Sequence, residues 1–238
     1  MSSVDPRDLG RRVLLQTGLG VSMGGLMIVE AAGAKEPGPR ASGALLDRLA
    51  VADLVTRERA ARDASEWAEM AACYAADSHI EVSWFQGTGK DFVAASQKNL
   101  SARRLSQHLL APTTAWVTNN RAIAETPCQL LGFVPLDDLD MCVVGTARLV
   151  WRAVREGKEW LIAGLRMIYI RDILVPCNPS RTPTIPAPEL EKYRLSYRYL
   201  SYVLARSDHP ARDDLPGIDR PDLVASLREK ERAWLTGY

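Results

Sequence analysis

The chain has 238 residues, of which 47% are hydrophobic and 25% charged. That is enough for one globular domain with its own core, and it excludes wholesale disorder and a polytopic membrane protein. Thirty basic against 29 acidic side chains leave a formal charge of +1, without the electrostatic footprint of a nucleic-acid binder.

Residues 1–34 read as an export leader. Arg11 and Arg12 precede an apolar, glycine-rich run to Val29, and Ala32-Gly33-Ala34 sets small residues where a signal peptidase cuts. An arginine pair ahead of a mildly apolar core resembles a twin-arginine leader. The run falls short of the ~20 strongly apolar residues that span a bilayer, so no stable membrane insertion is expected once it is removed. The expectation is bacterial export to the periplasm or beyond. The alternative is a cytoplasmic protein with an amphipathic N-terminal helix.

Residues 35–43 form a Pro/Gly linker. From Ala44 to Asp63, Leu45, Leu46, Leu49, Ala52, Leu54 and Val55 recur at helical spacing. Ser65 can cap a second helix running to about Ala75, broken by Asp77-Ser78. Residues 79–85 alternate as a strand, Gln86-Gly87-Thr88-Gly89 turns, and 90–104 form a third helix. Strands then cover 106–118, 121–133, 139–154 and 159–172, separated by turns at Asn119-Asn120, Pro135–Asp138 and Glu156-Gly157-Lys158. Short turns between long strands predict an antiparallel meander. Five prolines between 176 and 188 mark an extended connector, followed by helices over 189–206 and 221–236. The element order predicts an α+β domain over 44–178, with a Pro-rich connector and helical C-terminal tail over 179–238. The tail's tyrosine stripe suits packing, on its own domain or on another subunit.

Certain stretches carry a resemblance. They are Arg62–Trp67 ending the first helix, Tyr74–Asp77, Gln86–Gly89, Gln107-His108 opening the long strands, Trp160, and Arg166–Asp172 in the last strand. In this order the chain resembles the SnoaL-like branch of the nuclear-transport-factor-two-like superfamily. The likeness implies a cone-shaped curved antiparallel sheet with three N-terminal helices packed around an apolar cavity. It also implies an Asp–His pair in that cavity, with Asp63 at the helix-end acid and His108 at the strand-opening histidine. One departure stands out: several relatives carry a tyrosine five residues before the acid, where this chain has Glu58.

The chemistry of the pair is independent of the likeness. Imidazole, with an ordinary pKa of ~6.5, suits proton abstraction near neutrality, and a carboxylate on its other nitrogen fixes the tautomer. Without the likeness, the favoured reading is that Asp63 ends a helix and His108 sits in an ordinary strand. Tyr169 and Arg166 are the next catalytic candidates, as donors to an oxygen or leaving group. Arg148 is expected near Arg166 across the last hairpin, facing either the cavity or solvent. Trp84, Trp116 and Tyr74 are expected as cavity wall or substrate contacts. Glu125 could be a second acid, but strand parity sets it on the face opposite Arg166 unless a bulge intervenes. His79 and His209 read as structural or exposed. No CxxC and no metal-spaced histidine pair occurs, so no metal site is expected. Cys128 and Cys142 could face each other across the 121–154 hairpin, and are expected as free thiols.

The reading that follows is a small cofactor-independent lyase. It would eliminate water or another group from an apolar, cyclic, steroid- or polyketide-like substrate. The rivals are an isomerase of the ketosteroid type, a non-catalytic ligand-binding module and a structural small subunit. A homo-oligomer, dimer or trimer, is expected. N-terminal sequencing of the protein from its native host should begin at Lys35; an intact Met1 in a cytosolic fraction would contradict export.

Overall fold

The computed structural model describes residues 39–101, 105–207 and 210–237. The segment read as a leader and His209 lie outside them. Helix α1 (Pro39–Ala64) and the short α2 (Trp67–Ala72) lead into β1 (Tyr74–Val82) and β2 (Phe85–Gly87), then α3 (Gly89–Ser101). Five more strands follow: β3 (Leu105–Leu110), β4 (Thr114–Thr118), β5 (Arg121–Leu136), β6 (Leu139–Glu156) and β7 (Glu159–Pro176). They form one curved, unclosed sheet in the order β2-β1-β7-β6-β5-β3, with β4 also on β5, beside β3. Neighbours run antiparallel except β1 and β7, which are parallel. The fold class read from the sequence is therefore the observed one.

Helix α1 explains the concave side. Val51, Leu54, Val55, Glu58, Arg59 and Arg62 recur on one face at three- and four-residue steps. Val51, Leu54, Val55 and Glu58 are at most 1% exposed. Leu45, Leu46 and Leu49, at the N-terminal end of the same helix, are exposed. The sheet meets α1 with Ala122, Ala124, Leu149, Trp151, Ala153 and Leu165, alternate residues of β5, β6 and β7.

Several local expectations are corrected. Ser65 does not cap α2. It takes a left-handed conformation (φ 64°) just past the end of α1, while the Glu66 N–H donates to the Ala61 carbonyl at 2.8 Å. That is a helix-ending motif, in which an αL residue lets the last carbonyls find partners. The second helix stops at Ala72, and β1 begins at Tyr74 rather than after Asp77-Ser78. Gly89 opens α3 against the Tyr74 ring, where an added Cβ would come within 2.5 Å of ring carbon.

The expected strand 106–118 is two strands. Pro112 has no N–H to give the ladder, and the chain steps out at 111–113. Leu110 pairs with Cys128 but Thr114 with Glu125. The first strand thus spends one extra residue, which exchanges the faces of everything after it. A second such bulge sits in β7. Arg152 pairs with Gly164 but Ala153 with Ile162, so Ala163 is the extra residue. The expected Cys128–Cys142 facing pair does not form. The β5–β6 turn falls at Asp137-Asp138, which sets Cys128 against Ala147 and Cys142 against Phe133, and both thiols are free.

The tail packs on its own domain on both sides of the sheet. The expected helix 189–206 is broken into α4 (Ala187–Leu190), a 3-10 turn at Leu195–Tyr197 and α5 (Arg198–Leu204). Arg194 holds this break by donating to Asp219 (2.6 Å) and to the Leu215 carbonyl (2.7 Å). Asp172 of β7 accepts the Leu200 N–H at 2.7 Å, fixing the first turn of α5 as an N-terminal carboxylate does. Helix α6 (Pro221–Thr236) lies on the convex face, its Leu227 among Ile123, Val150 and Ile168. Among the described residues, no helix is long and apolar enough to cross a membrane.

Candidate active site

Asp63 is in the last turn of α1 and His108 is on β3, and both carboxylate oxygens of Asp63 are used on that one residue. Oδ2 accepts the His108 backbone N–H and Oδ1 lies against ring Nδ1, each at 2.7 Å. A carboxylate accepts, so Nδ1 carries the proton and Nε2 keeps its lone pair. The His108 side chain is only 6% exposed and lines a cavity of about 120 Å³ under the concave sheet. The walls are chiefly apolar: Val82, Trp84, Phe92, Leu130, Leu149, Leu165 and Met167, with Leu200 and Leu204 of α5 contributed by the tail. Helix α5 is thus part of the enclosure, which the sequence reading of the tail did not foresee.

Two guanidinium groups also line the cavity. Arg59 is clasped by Glu58, both bonds at 2.5 Å, between the Phe92 and Trp151 rings. Arg62 donates from Nη1 to Ser106 Oγ (2.7 Å), lies 3.7 Å from Asp63 Oδ1, and has no partner for its buried Nε among the described residues. Neither was read as a site residue from the sequence. The available signal was two arginines and a glutamate continuing the apolar face of α1. Glu58 also accepts the Tyr74 hydroxyl at 2.6 Å.

Burial pushes the His108 imidazole down to about 4; the Asp63 hydrogen bond opposes this, and the charges of Arg59 and Arg62 add to it. Burial likewise lowers Arg62 to about 10, helped by Arg59, so Arg62 stays charged at neutral pH.

The remaining candidates divide. Trp84 lines the cavity as expected. Tyr74 is buried beneath it, bonded to Glu58, so it supports the wall rather than meeting a ligand. Tyr169 is covered by the tail. Its hydroxyl accepts the Ser83 N–H at 2.8 Å and its ring lies 4.7 Å from that of Tyr197. Trp116 is 47% exposed beside Ile123 on the convex face, turned out by the extra residue before β4. Arg166 is turned out by the Ala163 bulge and pairs with Glu81 (3.3 Å) and Glu231 (3.4 Å). Arg148 shares that face and pairs with Glu125 at 2.9 Å. The bulge also sets Glu125 on the same face as Arg166, through Val150. Burial would raise Glu125, but its bonds to Arg228 and Arg148 outweigh this and hold it low, as an ion-pair partner. His79 is exposed on β1. Among the described residues no group of three or more His, Cys, Asp or Glu is placed to hold a metal.

The model of the SnoaL-like domain matches residues 43–166, more than half of the chain and all of the elements that build the dyad. The chain belongs to the SnoaL-like family. Two curated relatives come from Fusarium vanettenii. A PEP2-like protein is 23% identical over 206 residues, covering 81% of this chain and 87% of its own. Pea pathogenicity protein 2 is 21% identical over 160 residues, covering 66% and 69%. Two solved structures are similar at low identity. A hexachlorocyclohexane dehydrochlorinase, LinA-type3, from Novosphingobium barchaimii is 16% identical, covers 60% of this chain and 96% of its own, and has a TM-score of 0.48. A Mycobacterium tuberculosis protein of unknown function, Rv3472, is 15% identical, covers 74% and 96%, and has a TM-score of 0.48.

In this SnoaL-like chain the dyad has a stability consequence with a definite sign. The unfolded chain protonates His108 near its ordinary ~6.5, before the folded chain does at about 4. Its contribution is therefore complete above ~6.5 and is lost as the pH falls toward 4. Between pH 6.5 and 5, urea unfolding of the wild type should lose about 2 kcal/mol from this group, and the His108→Asn variant should lack that share. An equal loss in both would show that His108 is not held neutral.

Proposed function

We propose that the protein is a small lyase in which His108 removes a proton from a carbon beside an electron-withdrawing group. A leaving group, water in the dehydratase case, then departs from the adjacent carbon. Asp63 holds the ring, keeps Nε2 free of a proton and balances the imidazolium that forms. The observation that carries this is the clamp of both Asp63 oxygens on His108, with the ring presented to an apolar cavity. Proton transfer of this kind needs neither a metal nor an organic cofactor.

The substrate is a small, mostly apolar molecule. A dry cavity of about 150 Å³ takes a benzene ring, and this one is about 120 Å³. At that scale the cavity suits at most a single small ring. The steroid- or polyketide-sized ligand suggested by the family would require α5 to move outward. We further propose that the protein is exported, as its first 34 residues read, and that it self-associates as a dimer or trimer. The exposed Leu45, Leu46 and Leu49 of α1 support self-association.

The test begins with a thermal-shift screen of small cyclic β-hydroxy and β-halo carbonyl compounds, followed by turnover of the binders. His108→Ala should lose about 10²–10⁴-fold in rate while staying folded. Asp63→Asn should also be severe, because an amide can reverse the tautomer. The product separates the reactions: an unsaturated compound and a released group mean elimination, and a moved double bond means isomerisation. Full activity in His108→Ala would show that His108 is not the base, and binding without turnover in the wild type would leave a ligand-binding module.

A further inference from the structure

The dyad supplies a base but no group for the charge that proton removal creates on the substrate. Sequence reasoning looked to Arg166 and Tyr169, which the two-sided sheet and the tail direct elsewhere. A cation is nevertheless present in the cavity, carried by the helix rather than the last strand. Arg62 precedes Asp63, and one carboxylate oxygen of Asp63 stands between its guanidinium and the imidazole. Ser106, which accepts from Arg62, shares the concave face of β3 with His108, two residues on. The guanidinium carbon lies 6.0 Å from the Trp84 ring centre and 5.7 Å from that of Phe92, both cavity walls. Among the described residues its Nε is buried without a partner, and leaving a buried donor unpaired is unfavourable. Arg59 is different, because Glu58 already takes two of its donors.

Resting on the elimination reading above, we propose that Arg62 is the oxygen-binding residue of the site and that the substrate is a neutral carbonyl compound, held by its carbonyl oxygen. The charge balance selects neutral over anionic. Arg59 and Arg62 already face Glu58 and Asp63, so the buried cluster sums to zero while His108 is neutral. A carboxylate ligand would bring an unbalanced charge into a chiefly apolar cavity, which is strongly unfavourable. A ketone brings none. When its α C–H bond breaks, the proton goes to Nε2 and the electron pair becomes the enolate, whose negative oxygen meets Arg62 as the imidazolium appears. The total charge is unchanged. Loss of a β-hydroxyl then re-forms the carbonyl beside a new C=C bond, and the hydroxyl leaves as water with the proton from the imidazolium.

Cyclohexanone, a single small ring, is the ligand for the test, read by its infrared C=O stretch and by affinity relative to methylenecyclohexane, its shape analogue without the oxygen. In the wild type the stretch should move to lower frequency, and the ketone should bind about ten- to a hundredfold more tightly than the alkene. Arg62→Met should abolish both effects and Arg62→Lys should restore part of each. His108→Ala should lose deuterium exchange at the α-carbon. A failure of the base reading would thus appear as exchange surviving in His108→Ala, with the shifted stretch of the wild type still present. The proposal is overturned if Arg62→Met keeps the shifted stretch and the ketone preference. Should Arg62→Met not fold, the wild type alone decides: no preference for ketone over alkene overturns it as well.

Discussion

The site depends on one carboxylate that holds two parts of the chain together. Asp63 is in the last turn of α1, and His108 is within the strand β3 at the far edge of the sheet. By accepting from both the backbone and the ring of His108, Asp63 fixes where β3 meets the helix and which nitrogen of the imidazole is free. A monodentate contact would leave the ring free to turn over. Two charge-assisted bonds to one residue restrict position and orientation together.

Around that contact the helix buries four charged side chains, Glu58, Arg59, Arg62 and Asp63, in mutual compensation. Burying charges is costly unless they are paired, and here the pairing has a chemical consequence. The two arginines and the low-dielectric surroundings oppose protonation of His108 more than Asp63 favours it. The base is therefore unprotonated throughout the neutral range, whereas a histidine paired with an acid in a wetter site would titrate there. The tail completes the arrangement. Asp172 pins the first turn of α5, and Leu200 and Leu204 close the cavity that keeps these interactions strong.

The architecture was legible because it rests on features with a fixed period: the helical stripe of α1, the meander of long strands, the turns between them. The Asp63–His108 pair was legible only through the family resemblance, which gives roles to the helix-end acid and to the histidine of the following strand; by themselves the two residues read as an ordinary helix end and an ordinary strand histidine. What was not legible turned on single residues. One extra residue after Leu110 turned Trp116 to the convex face, and Ala163 did the same to Arg166, since a strand has a period of two and one insertion inverts every later side chain. Pro112 signalled the first bulge; nothing in the local sequence marked the second. Arg59 and Arg62 were visible as charges on an apolar stripe, a pattern that asks for buried partners. The role of Leu200 and Leu204 was hidden because α5 depends on a carboxylate from β7, a contact no local sequence pattern predicts.

The central claim is that Asp63 sets the tautomer and leaves Nε2 of His108 as a bare base facing the cavity. Long-range proton–nitrogen NMR of the imidazole side chains at pH 7, with His108 assigned by its absence from His108→Asn, tests this directly. The account predicts a neutral ring with the proton on Nδ1 and an unprotonated Nε2. A proton on Nε2, or an imidazolium at that pH, would contradict it.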